Sequence, residues 1–347
     1  TRTAPRSRTP TPTTPRAPEA RGTVSARSTG GQAPDAPGTE ASGVVLVDKP
    51  QGWTSHDVVG RVRRLAGTRK VGHAGTLDHM ATGLLVVGVN KATRLLTAIT
   101  GTDKTYTATI RLGQSTVTDD AEGEVVQTRL ANAVTPERVA EQVAALTGEI
   151  LQAPSAVSAV KVAGRRAYDR VRAGEDVTLD ARPVTVHEFT VHELRRLDGG
   201  RLVDLDVTVR CSSGTYIRAL ARDLGEALET GGHLTALRRT AVGPFDVADA
   251  LSLEALAERF AMTELSEAAA GLFPVRELTE HEAHELAFGR VVAPTGTGET
   301  LVAGRAPDGR VIALVSDVRR RGADVAKPQL VFAPAEGPGQ GRTCLLY

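Results

Sequence analysis

The stretch Gly72-His73-Ala74-Gly75-Thr76-Leu77-Asp78-His79-Met80-Ala81-Thr82-Gly83-Leu84 sets one carboxylate, Asp78, among three glycines. Glycine tolerates positive φ and lets a large ligand come close to the backbone. The apolar run Leu84–Val89 that follows reads as a strand that would fix the exit of the loop. A lone loop aspartate is ordinarily a turn or cap residue. Spacing alone therefore leaves Asp78 open between that role and a reactive one.

Outward from this loop the chain alternates strand and helix signals. Val44–Val47 reads as a short buried strand stopped by Lys49-Pro50. Thr54 or Ser55 then caps a helix with Val58, Val62 and Leu65 at helical spacing, ending near Gly67. Downstream, Lys104–Leu112 reads as a strand, and Thr135-Pro136 opens a helix that stops at Gly148. Val203, Leu205, Val207 and Val209 alternate with Asp204, Asp206, Thr208 and Arg210, a half-buried strand. Cys211-Ser212-Ser213-Gly214 turns the chain into a helix from about Tyr216 to Glu229, closed by Gly231-Gly232. A smaller unit begins near Pro274. It holds a helix around His281–Phe288 and strand-like runs on either side of Pro307-Asp308-Gly309, then Gln329–Phe332.

At 347 residues with 41% apolar content, the chain has room for about two domains with real cores. Residues 1–42 carry almost no large apolar side chain, and such a segment is expected to stay disordered. Two cysteines, Cys211 and Cys344, make no disulfide framework and no CxxC pair, which fits a reducing cytoplasm. No run approaches the roughly 20 apolar residues of a membrane span, and the N-terminus lacks a secretory apolar core. Net charge is +1, but residues 48–111 hold ten Lys/Arg against four Asp, whereas 249–285 holds nine acids against two arginines. A molecule polarised in this way can hold a phosphate backbone on one face while staying near neutral, although ordinary solvated charge reads equally well. No P-loop, dinucleotide fingerprint, HExxH or nucleophile elbow occurs. His281 and His284 lack a third ligand and read as surface histidines, so no metal site is expected.

Gly72–Asp78 with Ala81-Thr82-Gly83-Leu84-Leu85 resembles the signature of TruB-type tRNA pseudouridine-55 synthases. Other stretches agree in order. They are Val47-Asp48-Lys49-Pro50 with Thr54–Asp57, Lys104-Thr105-Tyr106, Pro154-Ser155, Ser158–Lys161, Gly164–Tyr168, Arg182-Pro183-Val184, Cys211–Arg218, Asp223-Leu224-Gly225 and His233-Leu234 with Leu237–Arg239. The resemblance runs collinearly over about residues 43–245. Two positions depart from it: His79 stands where the family usually has proline, and Val157 where many relatives carry tyrosine.

The resemblance implies an α+β pseudouridine-synthase fold with a mixed, mostly antiparallel central sheet, plus a small β-rich PUA-like C-terminal domain. The implied division is a tail over 1–42, a catalytic domain over 43–274, an RNA-binding domain over 275–336 and a tail over 337–347. The implied activity is isomerisation of the T-loop uridine at tRNA position 55, with the base flipped into a cleft. In that scheme Asp78 is the catalytic carboxylate and Arg218 its partner. Tyr106 stacks on the uracil, Tyr216 and Leu237 are pocket walls, His73 touches the T loop, and Lys49 is a structural or phosphate-facing lysine. Neither cofactor nor metal is implied. The expected partner is the T arm of tRNA, with no membrane, no obligatory protein partner and a monomeric state. The rival reading is a tRNA-folding chaperone with little catalysis.

Overall fold

The computed structural model describes residues 41–155 and 179–332, with the backbone alone of 161–162 and 165–166. Residues 1–40 and 333–347, Val157 and Tyr168 lie outside the described residues, and with them most of both expected tails.

The central sheet has ten strands, eight of them in one path. In order across the sheet these are Thr263–Glu264, Gly43–Lys49, Thr82–Val89, Gly232–Val242, Lys104–Leu112, Leu202–Cys211, Arg182–Leu197 and Gly148–Gln152. Val71–His73 adds to Thr82–Val89, and Phe245–Asp246 adds to Gly232–Val242. Every pairing is antiparallel except Thr82–Val89 with Gly232–Val242, which is parallel at Arg238–Thr82 and Arg239–Gly83. The sheet is thus mixed and mostly antiparallel. Among the described residues no helix is long and apolar enough to cross a membrane.

Alternation along the strands decides which face each half of the sheet buries. Leu205, Val207 and Val209 join Tyr106, Ala108 and Ile110 under the helices Ser55–Leu65, Pro136–Ala145, Ile217–Ala227 and Leu253–Glu258. The opposite face of these strands is polar and pairs across the ladder. Arg111 donates twice to Asp204 at 2.8 Å, and Asp206 accepts from Thr109 Oγ1 at 2.7 Å and from Arg195. Thr82–Val89 is different: Leu85 and Val87 enter the first core, while Leu84 and Val86 enter a second. Burial on both faces is why it reads as one unbroken apolar run.

That second core continues into the C-terminal unit through Ala303, Val311, Leu314 and Phe332. This unit is a four-stranded sheet of Val275–Glu277, Val302–Arg305, Val311–Arg320 and Ala323–Val331, with the helix Glu280–Ala287 beside it. Thr279 caps that helix in a reciprocal box with Glu282. The Arg94 guanidinium donates to the Val331 carbonyl, and the Val311 amide donates to Ser266 Oγ at 3.0 Å. The small unit is therefore tied to the larger sheet by packing and by hydrogen bonds.

Candidate active site

Asp78 sits in a loop fastened at several points. The Ala74 amide donates to the Val86 carbonyl at 2.9 Å, and the Ala81 amide to the Asp78 carbonyl at 3.1 Å, closing a tight turn. Ser55 Oγ, at the start of the helix Ser55–Leu65, accepts from the Leu77 amide at 2.9 Å and donates to the Leu77 carbonyl at 3.1 Å. Leu77, Met80 and Ala81 are buried on either side of the carboxylate. Gly83 has φ +96°, and a Cβ there would lie 2.2 Å from the Arg239 carbonyl, so the close parallel pairing at this point requires glycine.

Arg218 reaches Asp78 from the far side of the sheet. The strand Leu202–Cys211 ends in a turn at Gly214, and the helix Ile217–Ala227 begins after Tyr216. Buried Gln152 holds that junction by accepting from the Tyr216 amide at 2.8 Å and donating to its carbonyl at 3.1 Å. Arg218, the second residue of the helix, then directs its guanidinium into the cleft. Nε donates to Asp78 Oδ2 at 3.0 Å and Nη2 to Oδ1 at 3.2 Å, a forked pair that fixes the carboxylate plane. Nη1 donates to the Thr118 carbonyl at 2.9 Å, and Nε stands 3.6 Å from Asp120 Oδ2. The side chains of Arg218 and Asp120 are 6% and 5% exposed, whereas Asp78 is 38% exposed. The buried pair thus serves as a mount, and the carboxylate that faces the cleft is Asp78.

The cleft encloses about 750 Å³. That is within the usual range for a small-ligand pocket. Tyr106 and Leu237 form its apolar floor, and Tyr216 with Ile217 forms a wall. Burial pushes the Tyr106 hydroxyl above the usual phenol range, with the Arg239 guanidinium beside it pulling the other way. Arg239 is fully buried and donates to the carbonyls of Leu84 at 2.8 Å and Gly75 at 3.1 Å, on either side of the Asp78 turn. Lys104 lines the opposite end. Its ammonium donates to the Thr100 and Thr102 carbonyls, both at 2.6 Å, and burial lowers its pKa to about 8.

Of the seven residues expected from sequence, the structure gathers Asp78, Tyr106, Tyr216, Arg218 and Leu237 around one cleft. Lys49 is not in its lining. It is fully buried beneath the loop, where its ammonium donates to the carbonyls of Trp53 at 2.7 Å, Pro50 at 3.0 Å and His79 at 3.4 Å. Burial lowers its pKa to about 8, although Asp78 and Glu122 oppose the shift. Lys49 therefore braces the loop from inside. His73 also lies off the cleft lining, in the strand Val71–His73; its Nδ1 is buried without a hydrogen-bond partner among the described residues, and burial lowers its pKa. Sequence reasoning missed Asp120, Glu122, Thr118 and the site role of Arg239. Only the Thr118-Asp119-Asp120 run, rich in turn formers, hinted at the first.

A mixed, mostly antiparallel sheet backed by helices carries this cleft, which is the α+β fold of the pseudouridine synthases. Two solved structures share the fold. One is from a Cbf5–Nop10–Gar1 complex (TM-score 0.66, 24% identity, 86% of each chain covered). The other is from an H/ACA RNP bound to a substrate RNA containing 2′-deoxyuridine (TM-score 0.64, 24% identity, 85% of this chain and 86% of that one). Family models match residues 63–217 as the N-terminal domain of the TruB family of pseudouridylate synthases and 218–292 as a tRNA pseudouridylate synthase B C-terminal domain. Residues 273–333 match the C-terminal region of tRNA pseudouridine synthase II. A protein of Arthrobacter sp. (strain FB24) named tRNA pseudouridine synthase B is 65% identical over 308 residues, 86% of this chain and 99% of its own length. One of the same name from Thermobifida fusca (strain YX) is 59% identical over 295 residues, 84% and 99%. The chain belongs to the TruB family of pseudouridylate synthases.

Proposed function

We propose that this chain converts the uridine at position 55 of the tRNA T loop to pseudouridine, with Asp78 as the catalytic carboxylate. The observation that carries this reading is the forked Arg218–Asp78 pair lining a cleft large enough for a nucleotide. The reaction breaks the N1–C1′ bond, turns the freed uracil and joins C5 to C1′. The C5 hydrogen leaves as a proton and N1 gains one, so no oxidant or donor group is consumed. The work required of the protein is to present an anion, retain the loose base and exclude water.

Each requirement has a residue. The Arg218 guanidinium pairs with the Asp78 carboxylate and aims both its oxygens. A base inside a folded T loop is out of reach and must swing out into the protein. Tyr106 offers the face on which it would stack, with Leu237 and Tyr216 closing around it. Asp120 acts one step removed, holding Arg218 so that its fork points at Asp78. The domain reading that fits is a catalytic unit over 43–274 and an RNA-gripping unit over 275–336. The enzyme is proposed to act as a cytoplasmic monomer without a protein partner.

The test is to incubate the protein with a T-arm hairpin and with other uridine-containing hairpins. Pseudouridine in the T-arm RNA alone supports the reading. Conversion of all hairpins alike refutes the substrate assignment, and tight binding without product would mark a chaperone.

A further inference from the structure

We propose that His79 and Glu122 form a latch across the mouth of the cleft that positions Asp78 for reaction. The inference rests on the catalytic reading of Asp78 given above. His79 follows Asp78 in the chain and departs from the proline of the family pattern. Its Nδ1 lies 2.5 Å from Glu122 Oε1, forty-three residues away on the segment that also carries Thr118 and Asp120. The contact closes a ring. Asp78 binds Arg218, which binds the Thr118 carbonyl and faces Asp120; the Asp120 carboxylate takes the Glu122 amide at 3.0 Å, and Glu122 returns to His79. The latch adds a direct contact between the loop of Asp78 and the segment 118–122, beside the arginine they share.

A proline after Asp78 would stiffen the turn by locking φ. Histidine leaves φ free, and here a side-chain tether takes over that restraint. The backbone of His79 is held as well: its carbonyl accepts from the Gly52 amide at 3.1 Å and from Lys49. Glu122 raises the pKa of the imidazole, first by the hydrogen bond and then by its charge. The other charges facing it are Lys49 beneath the loop, Asp57 on the helix Ser55–Leu65 with His56 beside it, and Asp78 itself, already engaged by Arg218. The His79 and Glu122 side chains are 52% and 43% exposed, so the pair is weak and reversible. Its charged form exists below the raised His79 pKa and is lost as pH rises through it.

The test compares single-turnover rates on T-arm RNA for wild type, Glu122→Gln, His79→Gln and His79→Lys, from about pH 6 to about pH 8.5. The wild-type to His79→Gln rate ratio should be about two- to fivefold at the acid end, as an exposed ion pair allows, and should fall towards one at the alkaline end. Glu122→Gln should behave like His79→Gln. His79→Lys keeps a cation throughout the window and should hold its advantage at every pH. An inflection shared by wild type and His79→Gln belongs to Lys49 or Lys104, both lowered to about 8, and not to the latch. Affinity for the RNA should stay within about twofold, because the latch acts on orientation. A ratio near one at all pH values, with wild type active, overturns the latch and leaves the functional reading intact. Absence of product from wild type overturns both.

Discussion

Arg218→Lys keeps one positive charge and removes the fork. The arginine makes two bonds to Asp78, at 3.0 and 3.2 Å, one to the Thr118 carbonyl at 2.9 Å, and faces Asp120 at 3.6 Å. A lysine ammonium is a point donor and cannot satisfy both Asp78 oxygens and the carbonyl at once. Freed from its plane, Asp78 would wander by the order of 1 Å, which costs about 10²-fold in rate. Stability should fall by about 1–2 kcal/mol, because the buried Thr118 carbonyl loses its donor while Asp120 keeps a neighbouring cation. At this chain size that lowers Tm by roughly 2–4 °C. Arg218→Met also removes the charge. Asp120 then retains only Thr118 Oγ1 at 2.5 Å and the Glu122 amide at 3.0 Å. The expected cost rises to about 3 kcal/mol or more. The assays are single-turnover release of the C5 hydrogen from T-arm RNA, thermal unfolding and RNA binding. A lysine variant within about threefold of the wild-type rate would refute the claim that the fork orients Asp78. A binding loss as large as the rate loss would instead place Arg218 on the RNA.

Gly83→Ala would put a methyl 2.2 Å from the Arg239 carbonyl at φ +96°, so the parallel pairing must open. A loss of about 2 kcal/mol or more is expected in urea unfolding, and a neutral result would contradict the close approach. Two buried lysines give a pH prediction. Burial lowers Lys49 and Lys104 to about 8, so between that pH and the ordinary lysine range the unfolded chain binds more protons and stability rises with pH. From about pH 7.5 to about 9.5 each should contribute a rise of roughly 1–2 kcal/mol, removed one at a time by Lys49→Met and Lys104→Met. A variant whose profile rises as steeply as the wild type's would mean that the ammonium it lacks titrates normally.

Much of the site was legible because local patterns announce what they build. The alternation over Val203–Val209 marks a strand with one buried face, and the turn at Gly214 delivers Arg218 at a helix start. What was hidden depends on pairing between distant segments. The strand Gly232–Val242 lies parallel to Thr82–Val89, which no local period encodes, and that pairing carries Arg239 under the Asp78 turn. Asp120 gives no local signal beyond its place in a run of turn formers, because its importance comes from a guanidinium ninety-eight positions away. Lys49 was left between two roles for a related reason. Its ammonium is absorbed by three carbonyls of the loop it supports, and a sequence does not show which way a lysine at a strand end points.

Turnover is expected to depend first on the Asp78 carboxylate. Asp78→Asn keeps the shape of the side chain and removes its charge. The decisive measurement is pseudouridine formed in T-arm RNA by wild type and by Asp78→Asn at equal, saturating protein, with RNA affinity measured alongside. The expected result is full conversion by wild type and a rate at least about 10³-fold lower for the variant, with affinity within about tenfold. Equal product from the two proteins would contradict the central claim.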